Sequence, residues 1–168
     1  MGKWKDYICS KSTFFNENFS NIDFSNIDMS NKTFSFCFFS NGIFNNTKLI
    51  NSKISLCFFN NSTFTNTSFK NSIIVDSVFS ESEIINVNFS NSDILNNNFN
   101  ISSIKNSTFN NSDLYLSRFI GSFIDNSMFT DCNLKRVDFS DYINNKTSFK
   151  LSNIEEAFFD RGNYYETT

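Results

Sequence analysis

The sequence predicts an all-β chain wound into a solenoid, and three observations carry that prediction. From Phe14 to Phe139 every fifth residue is large and apolar, 26 positions without an insertion or deletion. Two residues before each of these centres the side chain is usually small, as at Ser52, Cys57, Ser62, Thr67, Ser72, Ser77 and Ser82. The chain also has no proline, which would remove backbone donors from stacked strands. An α-helix repeats at 3.6 residues and a strand at 2.0, so neither alone gives an unbroken period of five. A fixed period over most of a chain is the mark of a repeat array.

The five-residue unit resembles that of the pentapeptide-repeat family: a small residue, a polar one, Leu or Phe, then two polar ones. The stretches Phe129-Thr130-Asp131-Cys132-Asn133-Leu134 and Glu156-Ala157-Phe158-Phe159 come close to that form. The resemblance covers residues 12 to about 160. It implies a right-handed quadrilateral β-helix of about 7–8 coils, with one pentapeptide on each side of a square. Central and small residues then point inward, and the other three of each unit face solvent.

Four units per coil require residues 20 apart to stack, and the sequence carries that second period. One column of centres is all Phe: Phe19, Phe39, Phe59, Phe79, Phe99, Phe119, Phe139 and Phe159. Another settles into Phe69, Phe89, Phe109, Phe129 and Phe149, and the column starting at Phe14 becomes Ile54, Ile74, Ile94, Leu114, Leu134 and Ile154. Phe is expected to face Phe across the shaft and aliphatic to face aliphatic. At ~4.8 Å per coil the rod is roughly 37 Å long.

Residues 1–11 are expected to cap one end, with Trp4, Tyr7 and Ile8 as the covering side chains. The solenoid spans 12–160, and 161–168 form the other cap. At 141–147 the pattern breaks: Tyr142 sits at a small position and Asn144 at a centre. A local bulge or short projecting loop is expected there.

Composition narrows function mainly by exclusion. With 17 acidic and 14 basic residues the net charge is -3, which disfavours direct nucleic-acid binding, since that needs a basic footprint. There is no His, the commonest general base and metal ligand. No apolar run approaches the ~18 residues of a membrane span, and the start lacks an apolar signal region; a soluble, cytoplasmic protein without membrane contact is expected. Cys37, Cys57 and Cys132 occupy small inward positions and read as core packing, without CxxC spacing; Cys9 lies outside the array. Glu81 and Glu83 on a solvated wall have nothing to raise either pKa, and no serine has a base to activate it. No catalytic residue, metal site or cofactor is therefore assigned, and an enzyme is not expected.

The corners, two residues after each centre, are rich in Asn. Asn26, Asn46, Asn66, Asn86, Asn106 and Asn126 form one column, and Asn31, Asn51, Asn71, Asn91 and Asn111 another. Asn tolerates turn conformations and pairs in ladders, so these corners read as structural. One corner differs, with Phe36, Leu56 and Leu116 in the corner column itself. Phe38, Phe58 and Val78 lie on one flank of it, and Val75, Leu95 and Tyr115 on the other. An exposed apolar patch usually marks an interface. Three readings stand for it: contact with a partner or a second copy, cover by the N-terminal segment, or harmless exposure in a Phe-biased sequence.

Two functions follow. The first is a non-enzymatic scaffold for protein–protein interaction, partner unknown, using Phe36, Phe38, Leu56, Phe58, Val78, Leu95, Tyr115 and Leu116. The second rests on the resemblance, which includes quinolone-resistance proteins: a DNA mimic that engages DNA gyrase, with Asp76, Glu81, Glu83 and Asp93 as the imitating acids. Charge is uneven in its favour: residues 1–70 carry 7 basic and 4 acidic side chains, a net +3, and residues 71–168 carry 7 and 13, a net -6. The resemblance also suggests a homodimer through the C-terminal end, with Phe158, Tyr164 and Tyr165 as contacts.

Overall fold

The computed structural model describes residues 3–159. After one helix, α1 (Lys3–Ser10), the chain winds as a four-sided β-solenoid of about seven turns. Every strand pair is parallel and every register offset is 20 residues, as in Phe14↔Phe34, Phe44↔Phe64 and Ile74↔Ile94.

Two opposite sides carry three-residue strands. Thr13–Phe15, Thr33–Ser35, Lys53–Ser55, Ile73–Val75 and Asp93–Leu95 form one sheet. Ile43–Asn45, Thr63–Thr65, Glu83–Ile85, Ser103–Lys105, Phe123–Asp125 and Ile143–Asn145 form the other. The two remaining sides are held mostly by single bridges, such as Asn18↔Phe38↔Phe58↔Val78 and Lys48↔Ser68↔Asn88. Backbone bonds run along the shaft: Phe39 N–H donates to the Phe58 carbonyl at 2.7 Å and Phe58 N–H to the Cys37 carbonyl at 3.0 Å.

The centres fill the shaft. Phe59, Phe64, Phe79, Ile84 and Ile94 are fully buried, each contributing roughly 1.5–3 kcal/mol of apolar burial. Rings of one column lie flat on each other, as Phe39 on Phe59 at 4.7 Å and 1°. Rings of facing columns meet at right angles, as Phe99 and Phe109 do at 90°. The expected pairing of Phe with Phe across the shaft is therefore present, in the edge-to-face geometry that ring quadrupoles favour.

Small positions are polar for a reason the period alone does not reveal. The Ser62 hydroxyl donates to the Phe39 carbonyl and accepts from Gly42 N–H, both at 3.0 Å. Ser82 repeats this one coil on, donating to the Phe59 carbonyl at 2.9 Å and accepting from Ser62 N–H at 3.1 Å. The serines thus tie successive coils together inside the wall. Among the described residues no buried side-chain nitrogen or oxygen lacks a partner, as buried polar groups require.

The N-terminal end is closed by α1. Trp4 packs edge-on against Phe24 at 4.9 Å, Tyr7 against Phe14 at 5.8 Å, and Ile8 is fully buried. The Tyr7 hydroxyl donates to Glu17 and accepts from Lys11 Nζ at 2.7 Å. Residues 161–168, including Tyr164 and Tyr165, lie outside the described residues.

At 141–147 the expected bulge or loop is absent. Ile143–Asn145 pairs in unbroken register with Phe123–Asp125, with Asn144 opposite Ile124. The reason is an exchange of volumes between two inward positions. Tyr142, at the small position, is buried, its ring 5.4 Å from Phe139 and 6.0 Å from Phe159. Asn144, at the centre, is smaller and turns its Oδ1 to accept Thr147 N–H at 3.1 Å.

Candidate functional site

Each corner residue two positions after a centre has a left-handed backbone, with φ between 46° and 65° among the described residues. L-residues with a Cβ pay for that conformation, and Asn and Gly pay least. This explains the Asn columns. It also joins them: Asn46 donates to Asn26, Asn66 to Asn46 and Asn86 to Asn66, at 3.1–3.3 Å.

Against that background the corner at Phe36 (φ 55°) and Leu56 (φ 54°) stands out. Bulky side chains occupy positions the backbone would give to Asn, and they are only partly covered there: Phe36 is 45% exposed and Leu56 38%. Beside them Phe38 (40%) and Phe58 (38%) stack face to face on the outside of the shaft, centroids 5.2 Å apart at 8°. Phe15, missed by the sequence reading, extends the group; it is exposed and meets Phe36 edge-on at 5.5 Å. Its signal was its place on the strand flank of this corner.

The other residues of this ridge are less uniform. Val78 continues the Phe38–Phe58 column and is half-buried. Asp76 then interrupts the corner, accepting the Asn96 amide at 2.7 Å. Beyond it Leu116 is exposed, with Leu95 and Tyr115 half-buried on its flank. Arg136 donates to the Tyr115 hydroxyl at 3.4 Å and pairs with Glu156, and Lys135 pairs with Glu155 at 3.1 Å. The ridge is thus apolar from Phe15 to Val78, mixed around Leu116 and charged at its C-terminal end.

Uncharged polar residues border much of the apolar half, with Lys53 on its strand flank and Asp76 one coil beyond Leu56. Ser35 and Ser55 share a hydrogen bond at 3.0 Å, and Ser40 donates to Asn60 at 2.8 Å. Helix α1 sits on the end of the shaft, leaving this side open among the described residues.

The four acids Asp76, Glu81, Glu83 and Asp93 are not brought together. Asp76 and Glu81 occupy the two corners either side of the Phe38–Phe58 wall. Glu83 lies on the six-stranded sheet and Asp93 on the five-stranded one, at opposite sides of the shaft. Phe158 is exposed, on the same outward column as Phe38 and Phe58 but five coils beyond Phe58. Cys37, Cys57 and Cys132 are buried and free. The Cys37 sulfur beside it, together with burial, pushes the Cys57 thiol up, and burial pushes Cys132 up to about 11. The same Cys37–Cys57 hydrogen bond lowers Cys37, so of the three only Cys132 is disfavoured as a thiolate by burial independently of a neighbouring thiol.

Comparison with known proteins bears on the fold. A family model for a pentapeptide repeat region matches residues 82–159, and one for pentapeptide repeats in eight copies matches residues 43–81. No curated protein matches the chain in sequence. Among solved structures, the chain is similar to a pentapeptide repeat protein (Rfr23) from the cyanobacterium Cyanothece 51142, at 8% identity and a TM-score of 0.52, covering 86% of this chain and 96% of that one. Likeness is weaker to QnrB1, a plasmid-mediated fluoroquinolone resistance protein, at 16% identity, TM-score 0.33 and coverage of 88% and 84%. It is weaker also to HetL, a protein involved in heterocyst differentiation regulation in the cyanobacterium Nostoc sp. strain PCC 7120, at 9% identity, TM-score 0.29 and coverage of 92% and 94%. Five-residue period, four-sided coil and contiguous family matches agree: the chain belongs to the pentapeptide-repeat family.

Proposed function

We propose that the protein is a non-enzymatic scaffold for protein–protein interaction, and that its docking site is the apolar ridge of Phe15, Phe36, Phe38, Leu56 and Phe58. The observation that carries this reading is the pair Phe36 and Leu56. They hold a left-handed backbone that disfavours them, as the exposed Ile101 and Leu151 also do, but Phe36 and Leu56 flank the stacked, exposed pair Phe38 and Phe58, a concentration that neither folding preference nor core packing accounts for. Binding does, because a contiguous apolar patch with a polar rim is the anatomy of an interface. A DNA-mimic reading needs carboxylates aligned along one side, and the separate placement of Asp76, Glu81, Glu83 and Asp93 gives it no comparable support.

The test is site-specific photo-crosslinking in cells that make the protein. A benzophenone side chain at position 38 is expected to give protein adducts that the same group at position 66, on an Asn ladder, does not. Equal yields at both positions, or no adduct from position 38, would overturn the assignment.

A further inference from the structure

We propose that the occupant of this ridge is a second copy of the chain, docked antiparallel about a two-fold axis between the Phe36–Phe38 rung and the Leu56–Phe58 rung. The inference rests on the reading of the ridge as a docking site and names its partner.

Area supports it first. With a Phe side chain presenting on the order of 200 Å² when free, the exposed parts of Phe15, Phe36, Phe38, Leu56 and Phe58 amount to about 450 Å². A standard interface buries about 800 Å² per partner. The apolar group thus supplies about half of one partner's share, as the apolar centre of an interface whose rim is polar.

Symmetry supports it next. An isologous contact requires that if one residue meets a second, the second meets the first. An axis between the rungs brings Phe38 onto the partner's Phe58 and Phe58 onto the partner's Phe38. It also sets Phe36 against the partner's Leu56, a large side chain against a smaller one. Stacked rungs of matched chemistry satisfy this without further adjustment.

Charge then selects the direction. Lys53 and Asp76 are the charged residues beside the apolar rungs, and they stand at different heights along the shaft. The same surface therefore meets itself without a like-charge pair at its centre. A parallel pair would lay residues 71–168 of both copies, net -6 each, side by side. The antiparallel pair sends those halves to opposite ends of the assembly and leaves the N-terminal halves, net +3 each, in contact, a smaller repulsion than in the parallel order.

The experiment is analytical ultracentrifugation of the full chain over a micromolar concentration range. The wild type is expected to be a dimer, and the double variant Phe36→Asn/Leu56→Asn to associate about tenfold or more weakly, a loss of about 1.4 kcal/mol or more. Asn is the residue this backbone prefers, so the variant's melting temperature at monomeric concentrations should hold or rise, which separates lost docking from lost folding. Phe158→Ser is expected to leave the dimer intact. In a Cys9→Ser background, Ser35→Cys and Ser55→Cys chains mixed together should form a mixed disulfide faster than either chain pairs with itself. A wild type that stays monomeric, a dimer that survives the double variant, or a dimer lost with Phe158→Ser would overturn the proposal. Faster pairing of each cysteine chain with itself would overturn the antiparallel order. A monomer whose position 38 still crosslinks to a different protein would remove the self-pairing and leave the scaffold reading standing; no adduct at all would remove both.

Discussion

Phe109 and Phe119 meet edge to face across the shaft, ring centroids 6.0 Å apart and planes at 86°. Each also lies flat on a ring one coil away, Phe109 on Phe129 at 4.5 Å and Phe119 on Phe99 at 4.9 Å. A ring in the middle of the shaft is thus held on several sides by rings that are themselves fixed by the backbone ladder.

Such a site has little freedom to collapse when a ring is removed. Phe109→Ala is expected to cost about 3–5 kcal/mol, the upper range for large-to-small core changes. Urea unfolding monitored by circular dichroism measures it, with a lower midpoint and an unchanged slope. A loss below about 1 kcal/mol would show that the coils close over the gap, contrary to a wall fixed by its hydrogen bonds.

The left-handed corners make a prediction of opposite sign. Ile101 is β-branched, holds φ 59° and is 67% exposed, so it bears the backbone cost and gains little burial. Ile101→Asn is expected to stabilise the fold by about 1 kcal/mol, the scale of the left-handed penalty. The reverse change, Asn66→Ile, should destabilise by a similar amount and also break the amide bonds to Asn46 and Asn86. Thermal melting of the two variants against wild type decides it; a lower melting temperature for Ile101→Asn would refute the account of the corners.

Periods of five and 20 were legible because they are written in side-chain size, and the Phe14-to-Phe139 run needed no structure to interpret. The corner columns were legible for the same reason, since Asn at a fixed place marks a backbone state. The segment around Tyr142 was not. A rule about size at each position reads Tyr142 and Asn144 as two faults, whereas the shaft responds to their combined volume and accepts the swap. For α1 the sequence named Trp4, Tyr7 and Ile8 as a cap on the end of the shaft but left its apolar side as a second place for them. Which of these they cover depends on the rings of Phe14 and Phe24 left open at the first coil. For the ridge, the sequence located Phe36, Phe38, Leu56 and Phe58 and their outward placement, but the left-handed backbone of Phe36 and Leu56 required the folded chain.

The turns after Asp23 and Asp28 give the protein a defined response to acid. Ser25 N–H donates to the Asp23 carboxylate at 2.8 Å and Ser30 N–H to that of Asp28 at 2.9 Å. With the serine hydroxyls, these bonds hold both pKa values below the usual carboxylate range, because donors favour the charged form. Both groups have folded values below an unfolded value of about 3.9. The stability they contribute is therefore present in full above that value and is lost as the pH falls through the folded values. Asn accepts the same turn bond without titrating, as Asn88 does from Ser90 N–H at 2.8 Å and Asn98 from Asn100 N–H at 2.9 Å. The double variant Asp23→Asn/Asp28→Asn is accordingly expected to match wild type near neutral pH and to lose less stability below about pH 4. Unfolding midpoints measured between neutral pH and about pH 3 test this; an acid slope identical to wild type would show that these two turns do not contribute to it.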